Sequence, residues 1–277
     1  MKHFYLLENS RRGKLPGVRE LIEEYITSHG GEVTVSNDLL VEEIPDNAEC
    51  IIIMGGDGTM MRAADRTAGR GIPIIGINVG NLGYLTSVSD KDEIIPMLEK
   101  LFKGEYKIEE HCMLTGTWKD NTGVHVSEAF NDIIISRRAS KAIKLRVAVN
   151  GELLNEYLAD GIIVSTPNGS TAYNLAAGGP IVQTGSDVIV LTPICPHAFM
   201  ARSVVIGMDN EIEVSVIDGK KEDGTFAEAA FDGQIRGRFG TETTIVIERS
   251  GHTVPMIRLN GDSYIKNLRK KVDRMKG

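Results

Sequence analysis

The chain has 277 residues, enough for one large domain or two medium ones, and its 42% hydrophobic and 25% charged residues describe a folded globular protein. A net charge of -7 with no basic domain argues against general binding to nucleic acid or to an anionic membrane surface, so a positive field for a phosphorylated ligand must be local. Cys50, Cys112 and Cys195 form no CxxC, the histidines form no metal-ligand pair, and no apolar run reaches the roughly 18 residues of a membrane span; reduced thiols in a cytoplasmic protein are expected.

The first third alternates strand and helix. HFYLL (3–7) reads as a strand and LPGVRELIEEYITSHGG (15–31) as a helix, with Val18, Leu21, Ile22, Tyr25 and Ile26 on one face and Gly30-Gly31 as its stop. EVTV (32–35) and CIIIM (50–54) follow as strands, the second apolar throughout, as in a strand covered on both faces. A helix from Thr59 to about Ala68, a strand over 72–79 and a helix over 91–104 complete repeated βαβ units, which imply a parallel sheet. Beyond about Tyr106 the rhythm becomes β-rich: MLTGTWK, GVHVSEAFNDIIISR, KLRVAVNGELLNEYLADGIIVST, EIEVSVIDG and TTIVIER, with turns at Asn150-Gly151 and Asp218-Gly219. STAYNLAAGG interrupts them as a short helix, and the chain ends in a basic helix. The expected organisation is an α/β domain over 1–105, a β-rich domain over 106–258, and a C-terminal segment over 259–277 that packs back on the first domain.

Within IIIMGGDGTMMRAA (51–64), Asp57 falls where a buried strand ends and a helix begins, the place where open α/β sheets collect ligands. Gly55, Gly56 and Gly58 let backbone N–H groups approach a phosphate and allow positive φ, and the helix start favours an anion. The carboxylate is then free to accept a proton from an attacking hydroxyl or to help hold Mg²⁺. A plain turn with Asp57 capping the helix from Thr59 is the competing reading. GxxxxGK[ST] is absent, and Met61 stands where GxGxxG needs its third glycine. Arg62, Arg66 and Arg70 supply either local positive charge or a solvated face.

ADGIIVSTPNGSTAYNLAAGGP (159–180) is more informative. A strand runs into PNGS, Ser170 or Thr171 is placed to cap a short helix, and Ser165, Thr166 and Tyr173 crowd the turn behind Asp160. Hydroxyls and exposed amides at a helix start suit base edges, ribose or phosphate; a well-capped helix without a ligand is the alternative. FNDIII (130–135) sets Asn131 beside Asp132, a pair that reads ribose and adenine or makes a simple Asx turn.

GGDGT (55–59), GINVGNLGYL (76–85), NDIII (131–135), DGIIVSTPNGSTAYNLAAGGP (160–180) and FDGQ (231–234) together resemble the NAD kinase family, in order over nearly the whole chain. GGDGT alone is shared with diacylglycerol, sphingoid and phosphofructokinase relatives; the long run is far more specific. The resemblance implies an α/β N-terminal domain with a parallel sheet plus a mostly β C-terminal domain, an active site between them, and a homodimer or homotetramer. It implies transfer of the γ-phosphate of ATP, or of polyphosphate, to the adenosine 2′-hydroxyl of NAD. Mg²⁺ or another divalent cation would be carried by ATP, with no metal ligand assigned on the protein. It casts Asp57 as the base. Gly58, Tyr84, Asn131, Asp132, Asp160, Ser165, Thr166, Thr171, Ala172, Tyr173, Asp232 and Gln234 would surround NAD. Gly55, Gly56, Gly58, Thr59 and Arg62 would meet the donor's phosphates. Asn168 stands where threonine is common, Asp132 where glutamate is common, and His111-Cys112 where arginine is frequent. A lipid kinase sharing GGDGT and a non-catalytic dinucleotide sensor are the competing functions.

Overall fold

The computed structural model describes residues 1–8, 16–37, 44–78, 85–88, 90–138, 140–197, 201–218, 227–241, 243–261, 264–265 and 268–269. The chain divides into two units, Met1–His111 with Thr253–Gly277, and Cys112–His252. The first contains β1 (His3–Glu8), α1 (Val18–Ser28), β2 (Glu32–Ser36), β3 (Cys50–Met54), α2 (Asp57–Thr67), β4 (Ile74–Ile77), α3 (Ile94–Lys103) and the start of β5 (Tyr106–Asp120). The second continues β5 and adds β6 (Gly123–Ala129), β7 (Asp132–Arg137), β8 (Ile143–Val149), β9 (Glu152–Ala159), β10 (Gly161–Ser165), the short α4 (Tyr173–Ala176), β11 (Val188–Ile194), β12 (Val204–Gly207), β13 (Ile212–Asp218), β14 (Ala227–Phe231) and β15 (Gln234–Phe239). The last strand, β16 (Thr244–Leu259), ends in the first unit.

In the first unit the strand order is β2-β1-β3-β4-β16, and every pair is parallel. Every residue of β3 is buried, as a parallel strand covered on both faces requires. α1 buries Val18, Ile22 and Ile26, one side chain per turn, with Leu21 and Tyr25 packed at the flank. α3 buries Ile94, Met97, Leu98 and Leu101. α1 begins three residues later than its pattern suggested, because Gly17 holds a left-handed φ of 76° at its N-cap. The strand expected over 72–79 is shortened to Ile74–Ile77, with residue 79 outside the described ones.

The second unit has a six-stranded antiparallel sheet in the order β12-β11-β10-β7-β14-β15. Antiparallel pairs β16-β13-β8-β9 and β5-β6 supply the facing layer. Leu145, Val147, Val214 and Ile247 from that layer share one core with Ile133, Ile135, Ile162, Val164, Leu191 and Phe231 from the six-stranded sheet. The Asn150-Gly151 turn has φ of 50° and 79°, the mirror-image geometry that suits the β8–β9 hairpin. The basic C-terminal helix, Gly219 and Tyr84 lie largely or wholly outside the described residues.

Candidate active site

The glycine–aspartate turn joins β3 to α2 in the first unit. α2 starts at Asp57 itself, two residues earlier than its pattern suggested, with Gly56 as N-cap in an extended conformation. Asp57 is therefore inside the first turn and does not cap it. Its Oδ1 accepts the backbone amide of Leu85 at 3.0 Å, which fixes the carboxylate from outside its own helix. None of the three glycines carries a positive φ. Their use is spatial: a Cβ on Gly55 would stand 2.6 Å from Cβ and Oγ1 of Thr59, whereas at Gly56 and Gly58 it would meet no described atom within 4 Å. The Thr59 amide already donates to the Gly56 carbonyl at 2.9 Å, so the open approach leads to the amides ahead of it, at Gly56 and Gly58, which suit a phosphate. Thr59, Met60, Ala63, Ala64 and Thr67 face inward, and Arg62 and Arg66 are exposed.

In the second unit, three sequence-distant segments converge where β7 starts and β10 and β14 end. Asp132 lies directly opposite Ser165 in the β7–β10 ladder. The Thr166 amide donates to the Asn131 carbonyl at 2.9 Å and its hydroxyl to the Phe130 carbonyl at 2.7 Å. Ser165 is fully buried and donates to the carbonyl of Thr166 at 2.9 Å. A Cβ on Gly169 would overlap the Asn131 carbonyl, so only glycine lets this turn close on the other. Asp232, at φ 48° in the turn after β14, accepts amides from Phe130 at 2.8 Å, Asn131 at 2.7 Å and Asp132 at 3.2 Å. Its own amide donates back to the Asp132 carbonyl at 3.1 Å. Burial, together with the charge of Asp232, pushes the Asp132 carboxyl up to about 7.

The remaining expected residues stand differently. Thr171 donates to the Asn168 carbonyl at 3.3 Å, while Ala172 and Tyr173 are exposed beside it. Gln234 is exposed and accepts from Arg236 at 2.8 Å. Asp160 occupies the opposite end of β10, roughly 16 Å from Ser165 at strand rise, so one ligand reaches both only if it is extended. There Arg137 grips it with Nε at 2.7 Å and Nη2 at 3.3 Å. The sequence put Arg137 at the end of a β-rich run but gave no sign of this pairing across the β7–β10 ladder.

Sequence reasoning also missed Asn174. This buried amide donates to the carbonyls of Ser170 at 2.9 Å and Pro180 at 3.0 Å, and accepts from the Thr192 hydroxyl at 2.6 Å. No side chain caps either short helix of this segment: Ser170 donates to the Pro167 carbonyl at 2.6 Å and accepts from the Val182 amide at 3.0 Å. Among the described residues no group of three His, Cys, Asp or Glu side chains could hold a metal ion, and no helix is long and apolar enough to cross a membrane.

Comparison with known proteins meets this geometry. Residues 17–106 match the ATP-NAD kinase N-terminal domain and residues 130–259 the ATP-NAD kinase C-terminal domain. An NAD kinase of Agathobacter rectalis is 36% identical over 282 residues, covering 98% of this chain and 99% of its own. One from Geobacter metallireducens is 36% identical over 254 residues, 91% of this chain and 87% of its own. The crystal structure of an NAD kinase from Archaeoglobus fulgidus in complex with ATP shares 28% identity, covers 99% of both chains and superposes with a TM-score of 0.75. That of yeast NADH kinase complexed with NADH is alike in fold, with a TM-score of 0.83 at 21% identity over 99% of this chain and 88% of that one. With both domains matched in order and relatives above one-third identity along almost its full length, the chain belongs to the NAD kinase family.

Proposed function

We propose that this protein transfers the γ-phosphoryl group of ATP to the adenosine 2′-hydroxyl of NAD, giving NADP and ADP. The observation that carries the reading is the GGDGT turn at the head of α2, in a chain whose two halves both match the kinase family. The lipid-kinase alternative shares only that turn and is not favoured by the second domain.

Asp57 is the general base in this reading. A ribose hydroxyl is too weak an acid to be ionised beforehand, so the carboxylate aligns it and takes its proton late, as the 2′-oxygen bonds to phosphorus and the bond to the leaving ADP oxygen breaks. The Leu85 amide, donating to Oδ1 at 3.0 Å, orients the carboxylate for that role. The amides about Gly56 and Gly58, with Gly55, Thr59 and Arg62 nearby, take the phosphates of the donor, ATP or polyphosphate. Asn131, Asp132, Ser165, Thr166, Thr171, Ala172, Tyr173 and Gln234 form the NAD-binding group, with Asp160 and Tyr84 assigned to NAD on the family motif alone. A divalent ion, Mg²⁺ by its chemistry, would be carried by the donor's phosphates. Such an ion supplies charge neutralisation on the phosphate oxygens.

A homodimer or homotetramer is supported by edge strand β9, which exposes Leu153 and Leu158, and a cytoplasmic setting by three cysteines that are all free. Incubating the protein with NAD, ATP and Mg²⁺ and assaying NADP tests the function: NADP and ADP in equal amounts are expected, and hydrolysis of ATP without NADP would refute it.

A further inference from the structure

We propose that Asp232 is a positioning residue that acts on NAD through Asn131 and Asp132 instead of touching the dinucleotide itself. The inference rests on the NAD kinase reading and goes beyond it, since the family resemblance casts Asp232 as a member of the ligand shell.

Three consecutive amides, those of Phe130, Asn131 and Asp132, point at the Asp232 carboxylate, with both oxygens engaged. Consecutive N–H groups converging on one anion form a cradle of the kind that elsewhere binds a phosphate. Here the protein supplies the anion. Charge-assisted bonds of this sort are short and roughly twice as strong as neutral ones. The return bond from the Asp232 amide to the Asp132 carbonyl closes the contact from the other side, so the Asn131-Asp132 dipeptide is clamped by a residue about a hundred positions later. Left-handed φ at Asp232 and Gly233 sets the turn that brings the carboxylate there, and Asp is one of the few residues that tolerate it.

The clamp has an electrical consequence. The amides stabilise a negative charge on Asp232, which raises the cost of a second one on its buried neighbour. The groups facing Asp132 are Asp232 on the β14–β15 turn, Ser165 opposite it on β10, and Asn131 and Thr166 beside it. Asp232 is the charged one acting on it. Asp132 therefore takes up its proton near neutral pH and presents a hydrogen-bond donor as well as an acceptor to a ribose or phosphate oxygen. A residue outside the ligand shell thus sets the protonation state of one inside it.

The test is steady-state kinetics of wild type, Asp232→Asn and Asp232→Ala from pH 6 to 9, varying NAD and ATP separately, with hydrogen exchange at residues 130–132. In Asp232→Ala, KM for NAD is expected to rise about tenfold, the weight of one charge-assisted bond. KM for ATP should stay within about twofold, with faster exchange at Asn131 and Asp132. In Asp232→Asn, where the cradle keeps an acceptor but loses the charge, the pH at which NAD affinity changes should move to lower pH. A purely structural role would scale kcat and both KM values without moving that midpoint, and would overturn the proposal. So would a complex with the Asp232 carboxylate bonded to NAD. A wild type that makes no NADP would refute the functional reading and this inference together, whereas an active wild type with an unmoved midpoint refutes this inference alone.

Discussion

The backbone amide of Leu85 donates to Oδ1 of Asp57 at 3.0 Å, linking the start of α2 to a residue 28 positions downstream. A carboxylate in a first helical turn can usually swing freely; this one is tethered by a group that is neither on its helix nor on its strand. The tether fixes the orientation of the carboxylate from outside its own helix, which a simple cap does not require.

Asp57→Asn keeps the side chain's shape and its acceptor toward Leu85 while removing the proton acceptor. Turnover is expected to fall by about 10²–10⁴, the usual worth of a positioned general base, while calorimetry still detects NAD binding. A variant that turns over at the wild-type rate would remove Asp57 from the chemistry.

Asn174→Ala removes the side-chain donor to two carbonyls inside the second unit, while the Thr192 hydroxyl keeps Ser203 at 2.9 Å. Stranded buried polar groups cost about 1–3 kcal/mol each at most, so a net loss of about 2–4 kcal/mol is expected. Urea denaturation followed by the fluorescence of Trp118, the single tryptophan and part of that unit's core, reads it directly.

Asp132 gives the stability profile a sign that most carboxylates do not. Its folded value is raised from 3.8 to about 7, so the native state binds this proton more tightly than the unfolded chain does. The resulting stability is complete below about pH 4 and is lost as pH rises toward 7, at up to about 1.4 kcal/mol per unit. Glu49, Glu109 and Glu128 are lowered by hydrogen bonds and ion pairs and act in the opposite direction, losing their contribution only in acid. Between pH 5 and 7 the Asp132 effect dominates, and Asp132→Asn should flatten the fall in urea midpoint measured over that window.

The three cysteines should separate by reactivity with a thiol reagent. Cys195 is exposed and should label first. Burial pushes the Cys112 thiol up to about 11 and raises Cys50 further, so both should label slowly, Cys50 only as the first unit opens. Mass spectrometry of timed samples gives the order; early labelling of Cys50 would contradict its burial in β3.

Much of this molecule was legible in the chain. An apolar run ending in glycines marks β3 and its turn because burial on both faces leaves no alternation to confuse the reading. The β-rich second half was equally plain, but its extent was not. β5 and β16 run 15 and 16 residues, yet MLTGTWK and TTIVIER showed only the parts with a regular pattern. β14 was missed because AEAAF lacks branched side chains, and β11 because Pro193 interrupts VIVLTPI. In the site, the identities of Asp232, Asn131 and Asp132 were visible but their relation was not. A carboxylate seeking amides a hundred residues away leaves no local signature, and neither do the Asn174 network and the Arg137–Asp160 pair.

Met256 registers with Ile74 at the end of the parallel sheet, and Ile257 and Leu259 join the core that Leu6 and Ile52 begin. The piece of chain made first on the ribosome is thus finished last. Until about residue 259 has emerged, the Ile74 end of β4 waits for Met256, its other end alone being bridged by Val88, while the intervening segment already holds everything its own sandwich needs. A nascent chain halted just short of that point should expose the β4 edge to chaperones, and release of a handful of further residues should end the exposure.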